Sequence, residues 1–157
     1  MPSIDNRDEP MNLSDLYQKE TAPESRKFEV IRSDGTQSGH HITLIDPSSA
    51  KAASVSFMFD SALNRRMKKY EEEKKALRDE CEAAANFSGY NIGFEMACQD
   101  LRDAFAMEVV DGWDFDNEFT HEALKAAIEG YRSPVLFSLQ RQIINAYRDM
   151  VEAQAKK

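Results

Sequence analysis

The sequence predicts a mainly α-helical fold, in which a flexible N-terminal arm and a β-hairpin are followed by about four helices in a small bundle. Three observations carry this prediction. Prolines and acids crowd residues 1–26, two β-rich runs are confined to residues 28–45, and apolar residues recur at helical spacing over most of the remaining chain. A length of 157 residues is enough for one domain with its own core. We therefore expect an arm at residues 1–26 and a single helical domain at residues 27–157 that starts with the hairpin.

The arm is too polar to offset the entropy of folding by itself, since it has three prolines and few large apolar residues. We expect a disordered tail. Leu13, Leu16 and Tyr17 form a small apolar patch at i, i+3 and i+4, so a short helix formed on contact with another surface is the alternative.

The hairpin prediction rests on the β-rich runs 28–32 and 41–45, which flank a segment with two glycines, Gly35 and Gly39. A lone hairpin is marginal in water. It must therefore pack on the helices or pair its edge with another chain.

A long first helix is predicted to start at Ser48, a plausible cap after Asp46 and Pro47. Its apolar stripe comprises Val55, Phe59, Leu63, Met67, Tyr70, Leu77, Cys81 and Ala84. The opposite side is rich in opposite charges three and four residues apart, which is typical of a solvated face. Alternatively, the basic block that contains Arg65 and Arg66 docks an acidic partner.

Turn residues at 86–89 are predicted to separate this helix from a second one, so that the two form a hairpin. The apolar positions of the second helix are Phe94, Cys98, Leu101, Phe105 and Val109. An acidic, aromatic loop is expected at residues 111–119, and Thr120 is expected to cap a short helix that runs through Glu129 and stops at Gly130.

The last helix is predicted to open at Ser133 and Pro134, a cap followed by a proline at the first helical position. Its apolar side comprises Leu136 or Phe137, Leu139 or Gln140, Ile143, Ile144 and Tyr147. Cys81 and Cys98 match no zinc or redox spacing, and packing explains both.

Charge and composition argue against several classes of partner. A net charge of -8 and a pI near 4.9 would repel phosphate backbones and anionic lipid, so no nucleic acid and no membrane partner is expected. The longest apolar stretches, such as residues 55–59, are far short of the roughly 20 residues that cross a bilayer. The N-terminus lacks a secretory signal, which predicts a cytoplasmic protein.

The sequence offers no recognisable catalytic motif, so we expect neither an enzyme nor a cofactor or metal site. Asp114, Asp116 and Glu118 alternate as in a hard-cation loop, which leaves calcium binding or a metal-dependent hydrolase as an alternative to solvated loop acids. His40 and His41 would point to opposite faces of a strand and could not chelate a metal together.

Large rings in the same loop, Trp113, Phe115 and Phe119, are candidates for core packing or for contacts with a partner. Their alternation with acids suggests that not all three are buried together. With Arg65 and Arg66 they form the set of candidate partner-binding residues.

The order of these features resembles the tail assembly chaperones of siphophages, over most of residues 28–150. The matching stretches are Val109-Val110-Asp111-Gly112-Trp113-Asp114, Phe119-Thr120-His121-Glu122-Ala123-Leu124, Ser133-Pro134 and Arg141-Gln142-Ile143-Ile144-Asn145-Ala146-Tyr147. The arm has no counterpart in that pattern.

This resemblance implies an assembly factor that acts in the host cytoplasm and is not expected in the mature virion. It would coat the long helical tape measure protein, keep it soluble and help to recruit the major tail protein. A structural virion component, such as a tail or neck subunit, is the alternative, and self-association stays open.

Overall fold

The computed structural model describes residues 12–13, 22–80 and 87–156. Within these ranges four α-helices accompany a small sheet, as the sequence predicts for a mainly α-helical fold. The elements in chain order are β1 (Lys27–Ile31), β2 (Gln37–Leu44), α1 (Ala50–Glu80), α2 (Phe87–Val109), β3 (Val110–Trp113), α3 (His121–Gly130) and α4 (Leu139–Ala155). Short 3-10 helices at Pro23–Arg26 and Val135–Phe137 precede β1 and α4.

The predicted hairpin is present as β1 and β2, which pair antiparallel with Phe28 opposite Ile42. The chain reverses through a turn at Gly35, whose φ of +86° is readily adopted by glycine. Asp34 reinforces this turn, because its carboxylate accepts hydrogen bonds from the backbone N–H (3.0 Å) and the hydroxyl (2.6 Å) of Thr36.

A third strand, β3, extends the hairpin into a sheet with the order β1-β2-β3. It pairs antiparallel with β2 and places Trp113 opposite Ile42. The loop predicted at residues 111–119 was therefore wrong over its first three residues, which belong to β3. β3 has only four residues, two of which, Asp111 and Gly112, disfavour strands, so a partner about 70 positions earlier in the chain determines its conformation.

The hydrophobic core lies between the sheet and helices α2, α3 and α4. Its most deeply buried side chains are Ile42, Leu44, Val109, Leu124, Ile128 and Ile143. Helix α1 contributes Ala52 near its start and makes its main contacts with α2. The far part of α1 therefore lies outside the core and forms a helical hairpin with α2.

Two of the three predicted helix caps were misplaced. Thr120 caps α3 as predicted, since its hydroxyl accepts a hydrogen bond from the Ala123 N–H at 3.0 Å. α1 is capped by Ser49 instead of Ser48, and α4 is capped by Ser138, five residues beyond Ser133. At each of these two misplaced caps the sequence offers two serines, and the cap is the one whose hydroxyl accepts an N–H of the first turn.

Of the predicted break at residues 86–89, only residue 86 lies outside the described residues, as does Cys81. α2 already includes residues 87–89, which were expected in the turn. Cys98 is buried, as its place on the apolar stripe of α2 predicts. The apolar patch expected in the arm lies outside the described residues except for Leu13.

Candidate partner-binding surfaces

A groove runs between α1 and α2 on the surface of the helical hairpin. Its first half, nearer the core, has a volume of about 470 Å³ and its second half about 440 Å³. Ala62 and Leu101 line both halves, so the two cavities are continuous. We call the whole surface the α1–α2 groove.

Helical periodicity explains why α1 supplies one wall. From Lys51 to Lys69, its lining residues recur every three or four positions and therefore lie on one face. At a rise of 1.5 Å per residue, these positions span about 27 Å. The groove is thus long enough to contact about five turns of another helix.

The half nearer the core is apolar. Val55, Met58 and Phe59 of α1 face Leu101 and Phe105 of α2 across it. The rings of Phe59 and Phe105 pack with their centroids 5.0 Å apart, which fixes the floor. Met58 nevertheless remains 66% exposed, so this half presents apolar surface to solvent.

The far half is basic. Arg65, Arg66 and Lys69 line it together with one carboxylate, Asp100. The guanidinium of Arg66 lies 5.5 Å from the centre of the Phe94 ring, a cation–π contact that holds the arginine against α2. Both predicted basic residues, Arg65 and Arg66, thus lie in the groove.

The second candidate surface contains the three loop aromatics. Trp113 packs edge-to-face against Phe115 and Phe119, with ring centroids 5.9 and 4.9 Å apart. All three rings pack against the core, and each is half-buried and not fully buried. The acids at 114, 116 and 118 are exposed, because the irregular backbone turns alternate side chains outward.

An apolar cleft of about 500 Å³ opens beside these rings. Trp113 and Phe115 line it, whereas Phe119 does not. Arg65 and Arg66 line a different cavity, so the five candidate residues belong to two surfaces. Trp113 is further fixed because its indole N–H donates to the Asn117 carbonyl at 2.8 Å.

Asp114 connects the aromatic loop to β2. Its carboxylate accepts hydrogen bonds from the backbone N–H of His41 and lies 3.0 Å from Nδ1 of the same residue. The hydrogen bond from the His41 backbone is the main reason why the pKa of Asp114 is lowered. His40 stacks on Phe115 and also approaches Asp114, so both adjacent histidines engage one carboxylate.

Within the described residues no group of three His, Cys, Asp or Glu side chains could hold a metal ion. Asp114 faces the histidines, and the structure does not bring it into such a group with Asp116 and Glu118. Likewise, no helix in these ranges is long and apolar enough to cross a membrane.

Sequence reasoning missed the apolar half of the groove as a site. Met58 falls off the predicted stripe of α1 and is 66% exposed, yet it lines the groove. A signal was present, because residues 55–59 are apolar except for one serine and cover more than one face of a helix. The groove itself depends on how α2 packs beside α1.

The fold and its surfaces define a helical protein with a long groove of the shape and apolarity that another helix fills. A family model described as phage tail assembly chaperone matches residues 37–157, from β2 to the last residue of the sequence given. The chain belongs to the phage tail assembly chaperone family, which confirms the resemblance noted in the sequence. No curated protein and no solved structure matches it.

Proposed function

We propose that this chaperone binds the tape measure protein during tail morphogenesis, keeps it soluble and helps to recruit the major tail protein. It acts by binding and not by catalysis. Its place of action is the host cytoplasm, and it leaves before the virion is complete.

The observation that carries the proposal is the apolar half of the α1–α2 groove. Met58 lines this half and is mostly exposed, and the neighbouring Phe57 adds exposed apolar surface on the same helix outside the groove lining. Such surface favours association with another apolar surface, and an amphipathic helix is the shape that fills a groove between two helices. A long helical tape measure protein offers many segments of this kind.

Overall charge supports a solubilising role. The chain carries a net charge of -8, and charge far from zero discourages aggregation. Chaperone molecules arranged along an apolar partner would cover its sticky face and present an acidic surface to solvent. The resulting complexes would repel one another.

The aromatic cleft is our candidate for the second partner, the major tail protein. Trp113 and Phe115 combine apolar area with limited side-chain freedom, a combination common in binding hot spots. Phe119 supports Trp113, since the two rings pack edge-to-face. A Phe115→Ser variant should lose capture of the major tail protein while it retains the tape measure protein. Equal capture of both proteins would remove the cleft from the proposal.

Co-expression with the tape measure protein of the same phage, followed by affinity capture and a solubility assay, tests the main proposal. We expect the tape measure protein to be soluble only when the chaperone is present, and the two proteins to co-purify. Purified virions should lack the chaperone. Its presence at fixed stoichiometry in virions, without any effect on tape measure solubility, would favour the alternative of a tail or neck subunit.

A further inference from the structure

We propose that the α1–α2 groove recognises an amphipathic helix that carries a cluster of Asp and Glu side chains about two turns to one side of the centre of its apolar stripe. This inference rests on the proposed function and specifies the chemistry of the segment that the groove binds. It follows from an asymmetry of charge along the groove.

The two halves of the groove differ in charge. In the apolar half, Lys51 and Glu108 balance each other. In the far half, Arg65, Arg66 and Lys69 share the lining with the single carboxylate of Asp100, and Lys69 also pairs with Glu73 at 3.7 Å. The far half therefore carries an excess of positive charge on a chain whose net charge is -8. A bound acidic cluster would be attracted here and repelled by most of the remaining surface.

Arg66 gives a second reason to expect an anionic ligand. Its Nη1 atom is buried and has no hydrogen-bond partner within the described residues. A buried N–H without an acceptor is destabilising, and a carboxylate is the acceptor that best matches the planar donors of a guanidinium. The cation–π contact with Phe94 holds the guanidinium near the groove in advance. A carboxylate on a bound helix would satisfy the donor once the guanidinium turns that nitrogen toward the groove.

Distances along α1 fix the spacing of the recognised segment. Met58, in the middle of the apolar half, precedes Arg65 and Arg66 by seven and eight residues, which is about 11 Å or two helical turns. A helix that lies along the groove must therefore carry its acids about two turns from its central apolar residue. This spacing sets the register of the partner, whereas the apolar contact alone would allow it to slide.

Two other occupants fit less well. A second copy of this chain would bring another net charge of -8 toward the first. Nucleic acid would meet the basic half but would leave the apolar half without suitable contacts. The test described next can identify either of these two occupants.

The test uses three fluorescein-labelled helical peptides of about 20 residues with the same leucine stripe. Two turns from the central leucine they carry either three Glu, three Gln or three Lys residues. Binding to the full chain is measured by fluorescence anisotropy. We expect the Glu peptide to bind about fivefold more tightly than the Gln peptide, which corresponds to two exposed ion pairs, and the Lys peptide to bind most weakly.

A matched pair of variants locates the effect. Arg65→Gln with Arg66→Gln should erase the preference for Glu, whereas Lys68→Gln with Lys75→Gln removes the same charge from exposed positions of α1 outside the groove lining and should retain it. About 0.5 M salt should reduce the preference, since exposed charges are screened over a few ångströms. Circular dichroism and a thermal melt check that both variants fold.

Equal affinity for the three peptides would overturn the inference, and so would a preference for Glu that survives loss of Arg65 and Arg66. A chaperone that solubilises the tape measure protein but binds none of the peptides would also overturn it, while the proposed function would stand. Displacement of the peptides by dimerisation or by a DNA oligonucleotide would assign the groove to a second copy or to nucleic acid. Discrimination among peptides without any effect on the tape measure protein would instead contradict the proposed function.

Discussion

Gln142 completes the outer edge of the sheet, and its replacement should weaken the fold measurably. Its side-chain Oε1 accepts the Ile31 N–H at 2.8 Å, and its Nε2 donates to the Ile31 carbonyl at 3.0 Å. The same Nε2 also donates to the Phe137 carbonyl at 2.6 Å. The side-chain amide thus pairs both backbone groups of Ile31, as a neighbouring strand would.

A Gln142→Leu substitution keeps the approximate volume of the side chain but removes these hydrogen bonds. The Ile31 carbonyl retains the Tyr131 hydroxyl, which donates to it at 2.6 Å, whereas the Ile31 N–H loses its partner. An unsatisfied donor costs about 1–3 kcal/mol, and loss of the bond to the Phe137 carbonyl adds about 1 kcal/mol. Added apolar burial offsets part of this cost, so we expect a free energy of unfolding about 2 kcal/mol lower.

Urea denaturation followed by linear extrapolation measures this change, and hydrogen exchange of the Ile31 amide shows where it arises. Glu152→Leu, at an exposed position of the same helix, is the matched control and should change stability by less than about 0.5 kcal/mol. Wild-type stability for Gln142→Leu, with unchanged protection of the Ile31 amide, would refute the reasoning.

Three further predictions concern the core, pH and metal ions. Leu124→Ala should lower the free energy of unfolding by about 2–5 kcal/mol, because Leu124 is fully buried, whereas Val135→Ala at an exposed site should have little effect; chemical denaturation compares the two variants. The lowered pKa of Asp114 stabilises the fold above its unfolded value of 3.8, and this contribution is lost as the pH falls through the folded pKa. Below about pH 5 the melting temperature should therefore fall less steeply with pH in Asp114→Asn than in the wild type. An equally steep fall in the variant would argue against the role of Asp114. Millimolar calcium or magnesium should leave the melting temperature unchanged, and a clear rise would revive a cation site near Asp116.

Local patterns predicted most of the helical architecture. The stripe of α2 is correct at Cys98 and Val109, which are both buried, and the cap at Thr120 lies where the sequence places it. Each of these signals depends on residues that are close together in the chain. The hairpin belongs to the same class, because its two strands and its turn are contiguous.

Features that depend on distant residues were missed. β3 is a strand because it pairs with β2, and nothing within its own four residues requires this. The contact between Asp114 and His41 follows from that pairing, across 73 positions of the chain. The α1–α2 groove likewise needs two helices in a particular packing. Arg65 and Arg66 could be singled out by charge, but their apolar neighbour Met58 could not be assigned to the same surface.

The central claim is that the apolar half of the groove holds the tape measure protein. The most direct measurement is the soluble fraction of the tape measure protein co-expressed with a Met58→Lys variant. Met58 is 66% exposed, so the variant should fold, and Val135→Lys at a 68% exposed position outside the groove is the control. We predict that Met58→Lys leaves the tape measure protein insoluble while Val135→Lys keeps it soluble. A tape measure protein that stays fully soluble with a correctly folded Met58→Lys variant would contradict this claim.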